Sequence, residues 1–253
     1  MKTIHWTRRT KIFAGIGSMV VITAVLLIFT FVGMPWGGKL FWLTSKTQVQ
    51  PSLSSSMDVF IRMPLSRQAK SYTCGVADMQ SILYYYDYGE EIREDILARE
   101  LKSNPDIGTN YNNLIAAAQS RGIQVEVHKD MTIDELKSAL RSKKPVMVAI
   151  QAWGDNATDY ANDWNDGHWA IAVGYDDERI YFMDPSTLGN FTYIAIPEFL
   201  TRWHDTDSDN TTQLIHFGLI FSKDDKPSYD PNAILPLSFV PNWFGIGLGN
   251  AYG

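Results

Sequence analysis

The sequence predicts an α+β domain, N-terminal helices packed on a C-terminal antiparallel sheet, behind one N-terminal transmembrane helix. Three patterns carry this expectation. Residues 12–34 hold no charged side chain and are dominated by Val, Ile, Leu and Phe. Such a run is long enough for a helix to cross a hydrocarbon core about 30 Å thick. Between Cys74 and Lys143 apolar residues recur mainly at helical spacing, whereas short apolar or alternating runs prevail from Pro145 onward. Segregated helices and strands of this kind define the α+β class.

At the N-terminus, residues 1–11 carry Lys2, Arg8, Arg9 and Lys11, and no acid occurs before residue 36. The positive-inside bias places this end in the cytoplasm and everything after residue 36 outside, as a single-pass protein of the cell membrane. The apolar run ends in Gly33-Met34-Pro35-Trp36, without a small-residue cleavage site, so it reads as a signal anchor and not a cleaved leader. Trp36, Phe41 and Trp42 fit an interfacial aromatic belt. Residues 35–57 form a linker, rich in Ser, Thr and Gln in its second half.

The domain spans 58–222. Asp58–Leu65 reads as an extended lead-in, and Cys74–Asp87 as a helix with Val76, Met79, Ile82, Leu83 and Tyr86 on one face. Glu90–Lys102 and Tyr111–Arg121 read as helices, and Ile123–His128 as an alternating strand. Thr132 and Glu135 have capping-box spacing and open a helix to about Lys143. Strands follow at Pro145–Gln151, His168–Tyr175 and Arg179–Asp184, then a short helix at Pro197–His204 and a last strand at Leu214–Phe221. The tail 223–253 carries Pro227, Pro231, Pro236 and Pro241 and is assigned no regular structure.

Four of the 22 basic residues lie in the first 11, leaving 18 against 28 acidic ones, a net of −10 for the remainder. So acidic a surface repels phosphate backbones, which argues against a nucleic-acid partner. One cysteine excludes an intramolecular disulfide and a Cys-rich zinc site. No cofactor or metal is expected, since His128, His204 and His216 share no ligand spacing. The oligomeric state is not readable.

By composition alone Cys74 is a small buried thiol; its neighbours change that reading. It stands at the predicted start of a helix, where free amides and the helix dipole favour a thiolate. Gly75 lets the backbone approach closely. The Cys74 amide and the Gln68 side chain, six residues earlier, are candidate donors to a developing oxyanion. His168 opens a strand, where an imidazole of near-neutral pKa can serve a thiol as base. Asp184 ends the next strand; if the two form a hairpin, its carboxylate can orient the imidazole.

Gln68-x5-Cys74-Gly75, then Gly167-His168-Trp169, Gly174-Tyr175-Asp176 and Met183-Asp184-Pro185, resemble the bacteriocin-processing, double-glycine leader peptidases and their stand-alone relatives. The resemblance covers about residues 60–222. It implies a papain-like cysteine peptidase fold, with Cys74 as nucleophile, His168 as general base and acid, Asp184 as orienting carboxylate and Gln68 as oxyanion donor. It also implies hydrolysis of a peptide or protein through a thioester. No P-loop follows, which separates the chain from transporter-fused forms, and Thr73 stands where many relatives carry Asp or Asn. Two other readings stay open: a silent papain-like domain that binds a peptide or protein, and an acyl or peptidyl transferase using the same cysteine.

Weaker signals remain. Asp205–Asn210 resembles the start of a calcium loop but has Asn210 for the usual Gly and His216 at the twelfth position, so it reads as an exposed acidic turn. Asn156, Asn190 and Asn210 open glycosylation sequons, and Gly37-Gly38 reads as a juxtamembrane joint. The loop Trp153–Asp166, with Trp153, Tyr160 and Trp164, reads either as an overhang of the cleft that contacts substrate or as ordinary loop packing. Phe239–Phe244 is an apolar stretch with no assigned partner.

Overall fold

The computed structural model describes residues 57–86, 93–154, 157–187, 189–207, 209 and 211–234. The expected membrane segment, nearly all of the linker, Asn156, Asn210 and the tail beyond Ile234 lie outside the described residues. Among the described residues no helix is long and apolar enough to cross a membrane.

The elements run β1 (Val59–Phe60), α1 (Cys74–Tyr86), α2 (Glu94–Glu100), α3 (Tyr111–Gln119), β2 (Gln124–His128), α4 (Ile133–Arg141), β3 (Val146–Gln151), β4 (Gly167–Tyr175), β5 (Arg179–Met183), β6 (Thr192–Ala195), α5 (Ile196–Arg202), β7 (His204–Thr206), β8 (Gln213–Ile215) and β9 (Gly218–Ser222). Local chemistry fixes several starts. The Asn110 side chain accepts from the Asn112 amide at 2.8 Å and caps α3. Thr132 and Glu135 form the expected capping box at α4, each side chain satisfying an amide the helix leaves free. Pro197 lies in the first turn of α5, where its missing N–H costs nothing.

All pairings in the main sheet are antiparallel, in the order β2-β9-β3-β4-β5-β6. β1 takes up β4 at Gly174 and Tyr175, on the edge that β3 leaves at Ala172. The close approach requires Gly174, because a Cβ there would lie 2.5 Å from the Val59 carbonyl oxygen. Every residue of β3 is buried, as suits a central strand covered on both faces. Helix α1 packs on β4, with α2 and α3 against its other sides, and α4 packs on β4, β3 and β1. The core is built from Val76, Met79 and Ile82 of α1, Leu136 and Leu140 of α4, and the inner residues of β3, β4, β5 and β9.

The α+β class and the antiparallel sheet agree with the sequence expectation. The extended lead-in, as β1, and the strand between α3 and α4, as β2, are among the elements the sequence does anticipate. Several details differ. Helix α1 is buried on nearly all sides, with Gln80 and Tyr84 left partly exposed, because it runs between the sheet and two helices. The last strand is broken: His216 adopts φ +42 and divides Leu214–Phe221 into β8, which pairs with β7, and β9, which joins the main sheet. Strands β6 and β7 carry no strong apolar pattern and escape a reading by periodicity. The 205–210 segment is not simply an exposed turn, for Asp205 belongs to β7 and Asp207 is 7% exposed.

Candidate active site

Cys74 is the first residue of α1, where the early amides of a helix lack intrahelical acceptors. A carboxylate from α2 holds the segment before it: the Ala69 amide donates to Glu94 Oε1 at 2.9 Å and Oε2 at 3.1 Å, and Thr73 Oγ1 donates to Oε1 at 2.5 Å. Ser103 Oγ donates to the Tyr72 carbonyl at 3.2 Å, steadying the same segment. Gly75 gives the close approach expected of it. A Cβ there would stand 3.0 Å from Thr109 Cβ and 3.1 Å from Trp169 Cδ1.

His168 lies on β4 opposite Ile150 and is 2% exposed. Its Nε2 shares a 2.9 Å hydrogen bond with Asp184 Oδ1, which leaves Nδ1 as the ring nitrogen available to the Cys74 thiol, the second group that raises the imidazole. The β4–β5 hairpin brings the His and the Asp together, as the sequence anticipates. Asp184 is fixed in turn: Oδ1 accepts from the Ser186 amide at 2.8 Å and Ser186 Oγ at 2.6 Å, and Oδ2 from Thr187 Oγ1 at 3.2 Å. Trp153 packs edge-on against the imidazole with ring centroids 4.9 Å apart.

Charge in this cluster is shared. Burial opposes a charged His168, but Asp184 and Cys74 outweigh that and hold the imidazole at about 9. Burial likewise opposes an ionised Asp184, yet His168 and Ser186 draw its carboxyl down to about 2. For Cys74 burial would raise the thiol; His168 and the backbone amides of Trp169 and Gly75 overcome this and lower it. The arrangement favours a thiolate beside an imidazolium, the state a cysteine nucleophile uses.

A cleft of about 300 Å³ opens at Cys74 and His168, walled by Ser71, Tyr72, the 105–109 loop, Trp164 and Trp169. Asp205 and Asp207 of the β7 segment also line it. The Trp153–Asp166 loop divides its aromatics: Trp153 covers His168, Trp164 lines the cleft, and Tyr160 stacks on the Arg202 guanidinium. Gln68 departs from its expected place. Its Nε2 donates to the Lys70 carbonyl at 2.8 Å, its amide donates to the Pro185 carbonyl at 3.0 Å, and the cleft lining does not include it. Those two bonds tie Gln68 to its own loop and to the turn after Asp184.

Other residues at the site have no signature in the sequence. Gln151, fully buried at the end of β3, donates from Nε2 to the His204 carbonyl at 3.2 Å and Asp205 Oδ1 at 3.1 Å, and accepts from the Asp166 amide. Burial pushes Asp205 up to about 6 despite donors from Thr206 and Gln151. Glu94 and Gln151 matter through partners far away in the chain, so no local spacing points to them, and the spacing that marks Asp205 resembles a calcium loop instead of this site.

No curated protein matches the chain. Solved structures that resemble it include a double glycine motif protease from an AMS/PCAT transporter in complex with the leader peptide. That likeness has 18% identity, 65% of this chain, 94% of that one and a TM-score of 0.42. The peptidase domain of Streptococcus ComA, a bi-functional ABC transporter of a quorum-sensing pathway, gives 18%, 63%, 98% and 0.47. A protein of Bacillus anthracis described as a C39-like peptidase gives 17%, 66%, 98% and 0.49. The Peptidase_C39 like family matches residues 60–209, a stretch that takes in Gln68, Cys74, His168 and Asp184. With more than half of its length in that match, the chain belongs to the Peptidase_C39 like family, and it is a cysteine peptidase.

Proposed function

We propose that the chain hydrolyses peptide bonds through a thioester formed on Cys74, outside a membrane to which residues 12–34 anchor it. The observation that carries the chemistry is the buried imidazole, hydrogen-bonded to Asp184 Oδ1 at 2.9 Å on one side and charge-coupled to the Cys74 thiol, with which it lines the cleft. The Cys74 thiolate attacks the substrate carbonyl carbon, and the carbonyl electrons move to oxygen. His168 then gives its proton to the leaving amine as the C–N bond breaks, which leaves a thioester. Water, losing a proton to His168, attacks the thioester; the acid departs and the thiolate returns. Asp184 keeps the ring oriented through both steps. For Gln68 to act as oxyanion donor, its amide turns from the Lys70 carbonyl into the cleft when substrate binds.

The anchor rests on the charge-free apolar run and the four basic residues before it. The peptidase domain is then residues 58–222, on the extracytoplasmic side.

Full-length protein and its Cys74→Ala and Cys74→Ser variants, incubated with a peptide library and read by mass spectrometry, test the chemistry. Products from the parent alone are expected; equal turnover in both variants overturns the reading. Retention in the membrane pellet after alkaline carbonate extraction is expected for the anchor. A soluble form beginning near residue 36 overturns that part.

A further inference from the structure

Asp78 follows Cys74 by one helical turn on α1, is 0% exposed, and has no hydrogen-bond partner for either carboxyl oxygen among the described residues. Residues four apart lie on the same face of a helix, so Cys74 and Asp78 are neighbours along α1. A buried carboxylate with no donor is far costlier than the neutral acid, and the group responds by keeping its proton. Burial first, then the charges of Cys74 and Asp184, push the Asp78 carboxyl well above the ordinary carboxylate range. The charges that act on it are thus one from its own helix and one from the turn after β5. On β4, the strand packed against α1, the cation is His168, hydrogen-bonded to Asp184 and charge-coupled to Cys74.

We propose that Asp78 is a positioning residue tied to the charge of the nucleophile: it keeps its proton while Cys74 is a thiolate, and its own ionisation opposes that thiolate. With Asp78 neutral, the thiolate, the imidazolium and the Asp184 carboxylate leave the buried cluster a single net negative charge. Ionised Asp78 adds a second, set against the charges of the sulfur and of Asp184. Coupling of this kind is reciprocal, so removing the sulfur's charge must make Asp78 easier to ionise. The inference rests on the reading of Cys74 as a thiolate but not on turnover.

The test is an infrared pH titration of full-length protein carrying 13C-labelled Asp, compared with Cys74→Ser and Asp78→Asn. The parent is expected to show a protonated-carboxyl band at near-neutral pH that Asp78→Asn lacks. In Cys74→Ser, uncharged at that position, the band is expected to vanish at a pH lower by about half a unit or more. No band dependent on Asp78, or the same midpoint with Ser and with Cys, overturns the proposal. Should Asp78→Asn fail to fold, Asp78→Ala assigns the band; the parent and Cys74→Ser comparison decides the coupling without either. A shifted midpoint in a protein that cleaves no peptide leaves this proposal standing and removes the hydrolytic one.

Discussion

His168 and Asp184 meet at 2.9 Å across the open end of the β4–β5 hairpin, with the imidazole buried and the carboxylate held by Ser186 and Thr187. The bond drives the two groups apart in acidity, to about 9 for His168 and about 2 for Asp184. Between those limits the pair is charged, and the thiol of Cys74 gives up its proton beside a cation.

The rate profile should follow from this. kcat/KM is expected to rise as Cys74 ionises below the ordinary thiol range and to fall as His168 loses its proton at about 9. Asp184→Asn removes the support, so the alkaline limb should move down toward the ordinary imidazole value of 6.5. His168→Ala should cost on the order of 10² to 10⁴ in kcat. An alkaline limb that stays in place in Asp184→Asn would show that the carboxylate does not set it.

Stability should also depend on acid. Asp184 is depressed in the folded state from 3.8 to about 2. Its contribution, on the order of 2 kcal/mol, is therefore present above the unfolded value and lost as pH falls through the folded one. Thermal unfolding of Asp184→Asn should lack that share of the acid slope, and parallel curves for parent and variant below pH 4 would contradict the assignment.

Glu94 should matter to catalysis although it does not line the cleft. Glu94→Ala deprives the Ala69 amide and the Thr73 hydroxyl of their acceptor and frees the segment that leads to Cys74. A loss of about 1–3 kcal/mol of stability is expected. kcat/KM should fall more than the loss of folded protein explains. Glu94→Gln, which keeps one acceptor oxygen, should recover part of both; a variant with full activity per folded molecule refutes the role.

Gly167→Ala should damage the cleft from the other side. A Cβ at Gly167 would run into the Asp205 carboxylate, which packs against that strand edge next to His168. Overpacking of this sort costs about 1–3 kcal/mol. Gly167→Ala paired with Asp205→Ala should restore much of the lost melting temperature, and strict additivity of the two would rule out the contact.

Cys74, His168 and Asp184 were readable because each stands at the end of a regular element whose type periodicity reveals. A helix start, a strand start and a strand end fix where a side chain can go before the tertiary structure is known. Glu94, Gln151 and Asp78 show the opposite case. Asp78 is an acidic residue within a helix, and only the tertiary packing of α1 between the sheet and two helices makes it fully buried. The broken final strand was hidden for a similar reason, since Leu214–Phe221 is apolar enough to run through and only the left-handed turn at His216 divides it. Gln68 has the expected spacing, but its two hydrogen bonds to backbone carbonyls are decided by folding.

Cys74 belongs to the helical layer and His168 to the sheet, and they reach one another because α1 packs on β4. A chain still leaving the ribosome holds Cys74 well before the strand that bears His168 has been made. The thiol and the imidazole thus become a pair only when the two layers close.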